Sequence, residues 1–169
     1  MIEKISKIVF EAPEKWMHVR EAARKLKISP NSVRKHLKVM KKKGIVEEKR
    51  EGAMLRFRAN MQNENYRRNK MIDNLRAIYD SGIVDFLSEY YIPNAIVLFG
   101  SYSRGEDSST SDIDIAVLTG IGKRPDLREF EKKLSRRIEL SLFERKNVSK
   151  EFFNNLVNGI VLKGFLKNE

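Results

Sequence analysis

The feature that most constrains the fold is a pair of apolar strands separated by a short polar turn, within residues 96–118. Ala95–Phe99 is an apolar run of strand length bounded by a proline and a glycine, which predicts a buried strand. Residues 112–118 begin with alternating acidic and apolar side chains, which predicts a second strand. Between the strands we expect one helical turn at Tyr102–Glu106 and then a loop at 107–111.

Two acidic side chains share one face of the second predicted strand. Because side chains alternate with a period of two, Asp112 and Asp114 point to the same side, with Cα atoms about 6.5–7 Å apart. Two ionised carboxylates at this spacing repel each other when they are shielded from water. A divalent cation relieves that repulsion, and Mg²⁺ prefers one or two carboxylates together with phosphate and water oxygens. The alternative is a polar corner whose two acids are solvated.

A phosphate-binding turn is predicted directly before these acids. Gly100 permits close approach of the backbone, and N–H groups exposed where the turn begins can bind phosphate oxygens. Ser101 adds a hydroxyl group and Arg104 adds a nearby cation. Tyr102, in the same turn, either stacks on a nucleobase or packs in the core. A phosphate site next to a metal site suits phosphoryl or nucleotidyl transfer.

The same stretch resembles the signature of the minimal nucleotidyltransferases of the DNA polymerase β superfamily. The pattern is Gly-Ser-x-x-x-Gly, then a loop, then Ser-Asp-Ile-Asp-Ile. The matching residues are Gly100, Ser101, Arg104, Gly105, Ser111, Asp112 and Asp114. The resemblance implies that the two aspartates are catalytic and bind Mg²⁺ or Mn²⁺. It implies that the other matching residues bind a nucleoside triphosphate, for which we expect ATP.

A third strand is predicted at Ile138–Phe143, after a charged helix at Asp126–Arg137 and before an apolar final helix and tail. Glu139 reaches the aspartates if this strand lies beside the second one. The resembling family carries a third carboxylate here, usually Asp, so the resemblance implies that Glu139 completes the catalytic and metal-binding set. The longer side chain is a departure that matters, because in-line attack tolerates little misplacement of the base. The alternative is that Glu139 is a surface acid on an edge strand.

The charge of the chain is distributed unevenly. The 169 residues carry a net charge of +11. Residues 1–61 hold 17 Lys and Arg against 7 Asp and Glu, whereas the remaining 108 residues hold 17 against 16. This asymmetry predicts two modules with different partners. Cysteine is absent, and no apolar run approaches the roughly 20 residues that span a bilayer, so we expect a cytoplasmic protein with no membrane partner and no signal peptide.

Residues 1–61 predict three helices followed by a hairpin. Apolar spacing, an N-cap at Ser29 and turn residues define these elements. The predicted elements are helices at Ile2–Glu11, at His18–Leu26 and from Pro30 to about Lys43, then strands at Ile45–Lys49 and Met54–Ala59. This order resembles a winged helix-turn-helix, as found in bacterial and archaeal transcription regulators.

The winged-helix resemblance implies that the third helix enters the major groove of DNA and that the wing contacts the backbone or minor groove. The candidate DNA contacts are Asn31, Ser32, Arg34, Lys35, Lys38, Lys41, Lys42, Lys43, Arg50, Arg56 and Arg58. The alternative is a solvated basic face on a packing or dimerisation module. His18 and His36 lack a second ligand at metal spacing, so we interpret them as ordinary surface or groove residues.

These patterns predict an α+β chain in three parts. The parts are a winged helix-turn-helix at 1–61, a helical connector at 62–82 and a minimal nucleotidyltransferase domain at 83–169, with a mixed sheet flanked by helices. The apolar spacing in and after the connector predicts one helix to about Asp80 and a second helix at Ile83–Tyr91. The first helix has three interpretations, as a linker, as a dimer stripe or as a helix that packs on its own domain.

The predicted function is transfer of a nucleoside monophosphate to an unidentified acceptor, coupled to DNA binding. The resemblance implies a separate partner, because minimal members often work with a HEPN-type helical protein in toxin–antitoxin pairs in which the partner is modified. A homodimer is the other source of such a surface. The alternative function is a non-enzymatic transcription regulator whose nucleotidyltransferase domain only senses a nucleotide or dimerises.

Overall fold

A computed structural model describes residues 2–144, 146 and 148–166. The chain divides into two compact units, Met1–Lys70 and Met71–Glu169. The predicted α+β class is confirmed, since helices accompany two separate sheets. The three-part division proposed from the sequence stays a prediction. In the described part of the chain, no helix has the length and apolarity needed to cross a membrane.

The first unit combines helices with a small antiparallel sheet. Its elements are α1 (Ile2–Glu11), β1 (Met17–His18), α2 (Val19–Leu26), α3 (Pro30–Lys42), β2 (Val46–Glu51) and β3 (Met54–Ala59), followed by the start of α4 (Glu64–Ser81). The strand order is β1-β3-β2. The predicted helices and hairpin are confirmed. The sequence did not predict β1, because a strand of two residues is too short to show an alternation of apolar and polar side chains.

Side chains cap the N-termini of both helices of the helix-turn-helix. Ser29 accepts a hydrogen bond from the backbone N–H of Ser32 at 3.1 Å, as the predicted N-cap of α3. His18 is the N-cap of α2, where its Nδ1 accepts from the N–H of Arg20 at 3.1 Å. The second helix therefore begins at Val19, one residue later than predicted.

Apolar residues from the helices and the hairpin form the core of the first unit. Ile5 of α1, Val33 and Leu37 of α3 and Phe57 of β3 belong to one cluster, and each is at most 1% exposed. Burial of this stripe fixes the rotation of α3 about its axis. The opposite face of α3, with most of its basic side chains, is therefore left to solvent.

The second unit is built on a four-stranded mixed sheet. Its elements after α4 are α5 (Ile83–Tyr91), β4 (Ala95–Phe99), α6 (Gly100–Arg104), β5 (Ile113–Leu118), α7 (Arg128–Leu134), β6 (Ile138–Phe143), α8 (Lys150–Val157) and β7 (Ile160–Gly164). The strand order is β6-β5-β4-β7. β4 runs antiparallel to both of its neighbours, and β5 runs parallel to β6. The three strands predicted for this unit are confirmed as β4, β5 and β6, and the predicted apolar tail contains a fourth strand, β7.

The predicted charged helix at Asp126–Arg137 is too long. It is confined to Arg128–Leu134, because Ser135 adopts a left-handed conformation with φ of 52° that ends the helix. At the other end, the Asp126 carboxylate accepts a hydrogen bond from the Arg128 backbone N–H at 3.0 Å. The charged residues along this segment are typical of an exposed helix, but the contacts at its two ends limit the helix to seven residues.

Both faces of the sheet are covered, and the alternation along β5 determines what each face carries. Ile113 and Ile115 point into the larger apolar cluster, which includes residues of α5 and α7. Ala116 points to the other face, where it packs in a smaller cluster with Leu156 of α8. We call this second side the α8 face. Residues of β5 that alternate with the buried isoleucines belong to it.

The fold predicts a contrast between two apolar residues of α3. Leu37→Ala removes a side chain that is 0% exposed and should cost about 2–5 kcal/mol of unfolding free energy in the first unit. Val39→Ala, at a position 41% exposed in the same helix, should change it by less than about 0.5 kcal/mol. Urea unfolding followed by circular dichroism measures both, and similar costs for the two variants would contradict the assigned packing of α3.

Candidate functional site

The turn after β4 brings a glycine against an acidic side chain. Phe99, the last residue of β4, pairs with Asp114 of β5 in the antiparallel register. Gly100 follows with a φ of +71°, in the left-handed region, and a Cβ added there would overlap Oδ2 of Asp114. Only glycine therefore combines this backbone conformation with room for the carboxylate. α6 begins at this glycine rather than at Tyr102 as predicted.

Three acidic residues lie along two adjacent strands. Asp114 and Glu139 are direct partners in the parallel register of β5 and β6. Asp112 stands immediately before β5, two residues from Asp114. Because they alternate with the buried Ile113 and Ile138, all three acids belong to the α8 face. The third strand thus lies beside the strand of the aspartates, which is the condition under which Glu139 can reach them, and it is also the edge strand of the sheet.

The pKa of Asp114 reflects this crowding. Burial raises the pKa of Asp114 above its ordinary value, and the charges of Asp112 and Glu139 raise it further, whereas Arg104 lowers it. The ionised form of Asp114 is thus disfavoured in the folded protein. A cation held among these carboxylates would relieve both the burial and the repulsion.

The metal site predicted from the sequence stays a prediction. The charges of Asp112 and Glu139 both act on Asp114, but among the residues that the structure describes no group of three Asp, Glu, His or Cys side chains is arranged to hold a metal ion. The Glu139 side chain is exposed to solvent. The carboxylate oxygens of the aspartate pair still fit a hard cation such as Mg²⁺, which completes its coordination with phosphate and water oxygens.

Other predicted nucleotide-binding residues shape the segment between β4 and β5. The carbonyl of Ser101 accepts a hydrogen bond from the N–H of Glu106 at 3.0 Å, and Gly105, with a φ of +67°, ends α6. The hydroxyl of Ser111 accepts from the N–H of Ser108 at 2.9 Å and so closes the following loop. These residues occupy one short turn beside the aspartates.

Arg104, the predicted cation of the turn, already has an acidic partner. Its Nε donates to Oε2 of Glu106 at 2.8 Å, and the two side chains are 53% and 39% exposed. An ion pair this open to water contributes little to stability. The pair nevertheless neutralises part of the positive charge that Arg104 offers to a phosphate.

Tyr102 packs in the core, so of its two interpretations the packing one is confirmed and the stacking one is wrong. It is 5% exposed and belongs to the same apolar cluster as Leu87 and Ile113. Burial raises the pKa of its hydroxyl group, and the charge of Asp107 raises it further. The buried aromatic ring thus fixes α6 against the sheet.

A buried polar network holds the loop between α6 and β5. Nδ2 of Asn74, in α4, donates to the carbonyl of Tyr102 at 2.8 Å and to Oδ1 of Asp107 at 2.7 Å. Arg136 lies 3.8 Å from Oδ2 of Asp107 and also donates to the carbonyl of Ser109. Asp107 is 0% exposed and Asn74 is 3% exposed. Because buried polar groups require hydrogen-bond partners, these contacts fix the loop next to the acids.

Sequence reasoning missed this network. Asn74 interrupts the apolar stripe of Met71, Leu75 and Ile78 in α4, and that interruption is the signal that could have identified it. The sequence offers no comparable signal for its partner, because Asp107 lies 33 residues further along the chain.

The basic surface of the first unit follows α3. Asn31, Arg34, Lys35, Lys38, Lys41, Lys42 and Lys43 are exposed, as is Arg50 of the wing, while Ser32 is half-buried. Lys41 pairs with Glu48 at 2.8 Å. Within the described residues, the other four lysines of this helix and its C-cap make no ion pair. Their charges are therefore available to an anionic partner.

Two of the three predicted wing arginines already have acidic partners. Arg56 pairs with Glu51 at 3.2 Å, and Nε of Arg58 donates to Glu47 on the neighbouring strand. The guanidinium group of Arg58 also lies over the ring of Trp16, 4.7 Å from its centroid. These contacts position the wing and reduce the net positive charge that it presents.

The raised pKa of Asp114 predicts a pH-dependent stability change. Because its folded-state pKa lies above the unfolded value, stability is fully present below the unfolded pKa and is lost as the pH rises through the folded one. Asp114→Asn should therefore unfold at the wild-type temperature near pH 3, below the ordinary pKa of an aspartate. Near pH 7 it should unfold at a higher temperature than wild type, by a small margin because this side chain is partly exposed.

Glu129→Gln provides a control of opposite sign. The hydrogen bond from Lys133 lowers the pKa of Glu129, so the stability contributed by this pair is present at neutral pH and lost as the pH falls. The Gln variant should therefore lose stability at pH 7 and not at pH 3. Thermal scans across this pH range measure both variants, and an Asp114→Asn variant that is less stable than wild type at pH 7 would refute the repulsion assigned to the acids.

Family models match both units of the chain. The model described as polymerase beta, nucleotidyltransferase matches residues 81–164, a range that includes the glycine turn and all three acids. The model described as penicillinase repressor matches residues 7–92, a range that includes α3 and the wing, and it supports DNA binding. No curated protein matches the chain. The chain therefore belongs to the penicillinase repressor family through its N-terminal winged helix, and its residues 81–164 match the nucleotidyltransferase domain model of polymerase beta.

Proposed function

We propose that the C-terminal domain transfers a nucleoside monophosphate from a nucleoside triphosphate, ATP in the first instance, and releases pyrophosphate. The family match supports this reaction class. The observation that carries the proposal for this chain is the packing of Gly100 against the Asp114 carboxylate. That packing puts the start of a polar turn directly beside an acid of raised pKa, as a site for a metal-bound polyphosphate requires.

The roles of the residues follow from their positions. Asp112 and Asp114 are proposed to hold a divalent cation, Mg²⁺ or Mn²⁺, which neutralises phosphate charge when bound. The backbone N–H groups of Gly100 and Ser101 and the Ser101 hydroxyl are proposed to bind phosphate oxygens. Glu139, in register with Asp114, is proposed to accept the proton of the attacking hydroxyl.

The acceptor is proposed to belong to a separate macromolecule. In its described residues, the second unit consists of one sheet and the helices that cover it. A hydroxyl group presented by a partner protein, such as a HEPN-type chain in a toxin–antitoxin pair, or by a second copy of this chain would supply the attacking nucleophile.

A second candidate function is gene regulation without catalysis. Two observations favour it, the match to the penicillinase repressor and the finding that, among the described residues, no three acids gather into a metal site. In this function the C-terminal domain binds a nucleotide without turnover, or dimerises, while the winged helix binds DNA.

The enzymatic proposal predicts label transfer from ATP in the presence of Mg²⁺. Asp112→Ala removes a proposed metal ligand and should abolish the transfer. Gly100→Ala places a Cβ against Asp114 in a left-handed backbone and should lower the rate by about 100-fold or more. The measurement is incorporation of labelled nucleotide into the protein itself, into candidate protein partners or into nucleic acid.

Gly122→Ala is the matched control for the glycine variant. No atom would lie within 4 Å of a Cβ at Gly122, so this variant should retain wild-type transfer. Transfer that survives in Asp112→Ala would count against the proposed site. Mg²⁺-dependent ATP binding without transfer to any acceptor would favour the regulatory function instead.

The DNA-binding proposal predicts a steep salt dependence that depends on the exposed lysines of α3. Each phosphate contact removed should flatten the slope of log Kobs against log salt by about one. Lys35→Gln and Lys38→Gln should each show this change in a fluorescence titration with duplex DNA. Lys132→Gln, an exposed position on α7 in the second unit, is the charge-matched control and should keep the wild-type slope.

Two results would count against this assignment. If binding did not depend on salt, the basic face of α3 would not contact DNA phosphates as proposed. Equal slopes for wild type and both α3 variants would move the DNA contacts away from this helix.

A further inference from the structure

Arg137 lies at the acidic end of β5 and β6, where neither the sequence patterns nor the family matches assign it a role. The backbone N–H of Ile113 donates to the carbonyl of Arg137 at 2.9 Å, and Ile113 pairs with Ile138 in the parallel register. The register therefore places Arg137 beside Asp112. Each residue stands immediately before a strand whose first residue, Ile113 or Ile138, is buried. Alternation continued by one residue assigns both to the α8 face of the sheet.

The neighbouring pair of residues completes this surface. Asp114 and Glu139 are the next partners along the two strands and belong to the same face. By register, a basic residue thus stands at the end of the two strands that carry the acids, the same end at which the glycine turn begins.

The other two arginines near this end of the sheet form ion pairs. Arg104 pairs with Glu106, and Arg136 is only 12% exposed and pairs with the buried Asp107. Arg137 is exposed, and within the described part of the chain its guanidinium group has no ion-pair or hydrogen-bond partner. It is therefore the arginine at this end of the sheet whose full charge and donor groups are available to a ligand.

We propose that Arg137 binds phosphate oxygens of the nucleoside triphosphate, an inference that rests on the proposed function. Three carboxylates and a triphosphate are all negatively charged, so one divalent cation leaves a large excess of negative charge at the site. A guanidinium group supplies a permanent positive charge and a planar pair of donors that matches phosphate geometry. This assigns to Arg137 the phosphate contact that the sequence assigned to Arg104.

The test measures binding by the full chain rather than catalysis. Isothermal titration calorimetry with Mg-ATP and with Mg-tripolyphosphate compares wild type with Arg137→Ala and Arg137→Lys. The Ala variant should bind both ligands about 10- to 100-fold more weakly, because a charge-assisted contact is lost. The Lys variant keeps the charge but not the planar fork, and should lie between the two.

Arg124→Ala is the charge-matched control. Arg124 is exposed in the loop that follows the opposite end of β5, so its removal changes the net charge equally and should leave both affinities at the wild-type value. Thermal unfolding checks that the variants are folded. Should Arg137→Ala unfold at a lower temperature, Arg137→Gln keeps much of the aliphatic side chain and takes its place in the comparison.

The outcomes separate this inference from the proposed function. If wild type binds neither ligand, the proposed function itself fails. If wild type binds Mg-ATP and Arg137→Ala binds it equally well, the role of Arg137 is refuted while the proposed function stands. If Arg137→Ala weakens Mg-ATP but not Mg-tripolyphosphate, the contact is made to the nucleoside and the phosphate assignment is overturned.

Discussion

The site depends on one steric constraint, the close packing of the Gly100 backbone against the carboxylate of Asp114. No side chain can occupy position 100 without displacing that carboxylate or straining a left-handed backbone. The antiparallel register of Phe99 with Asp114 imposes this contact, because it sets where β4 ends relative to β5. Burial and the charges of Asp112 and Glu139 raise the pKa of this carboxylate, so a bound cation would favour its ionised form.

The polar network under the loop fixes the loop beside the acids. Asn74 and Arg136 approach Asp107 from two different elements, α4 and the segment before β6. Removing one partner of such a network leaves a buried polar group unsatisfied, which is destabilising. The loop between the glycine turn and the aspartates is thus held in one conformation by residues that need not touch substrate. Functional sites commonly depend on such supporting residues when the charged residues of the site repel one another.

The two units present surfaces of opposite character. In the first, a buried apolar stripe on α3 turns basic side chains to solvent, as expected for a domain of the penicillinase repressor family. In the second, the alternation along β5 and β6 places acidic residues on one face, at the end of the sheet where both strands begin. Each surface is a direct consequence of side-chain period, 3.6 residues in the helix and two in the strand. The uneven distribution of charge in the sequence is therefore reproduced as two chemically distinct sites.

Local sequence patterns were sufficient to predict most helices and strands and the position of the acidic turn. Apolar period gave α1, β4 and β6, the capping chemistry of Ser29 gave the start of α3, and the Gly-Ser and Asp-x-Asp pattern located the acidic turn. Only the tertiary structure decided which charges are free, because Arg56 and Lys41 are paired with glutamates across strand and helix, while Arg137 is left without a partner among the described residues. It also decided the partners of Asn74 and the open position of Glu139, since these depend on contacts between segments distant in the chain and on side-chain orientation. Short-range periodicity carries no information about either.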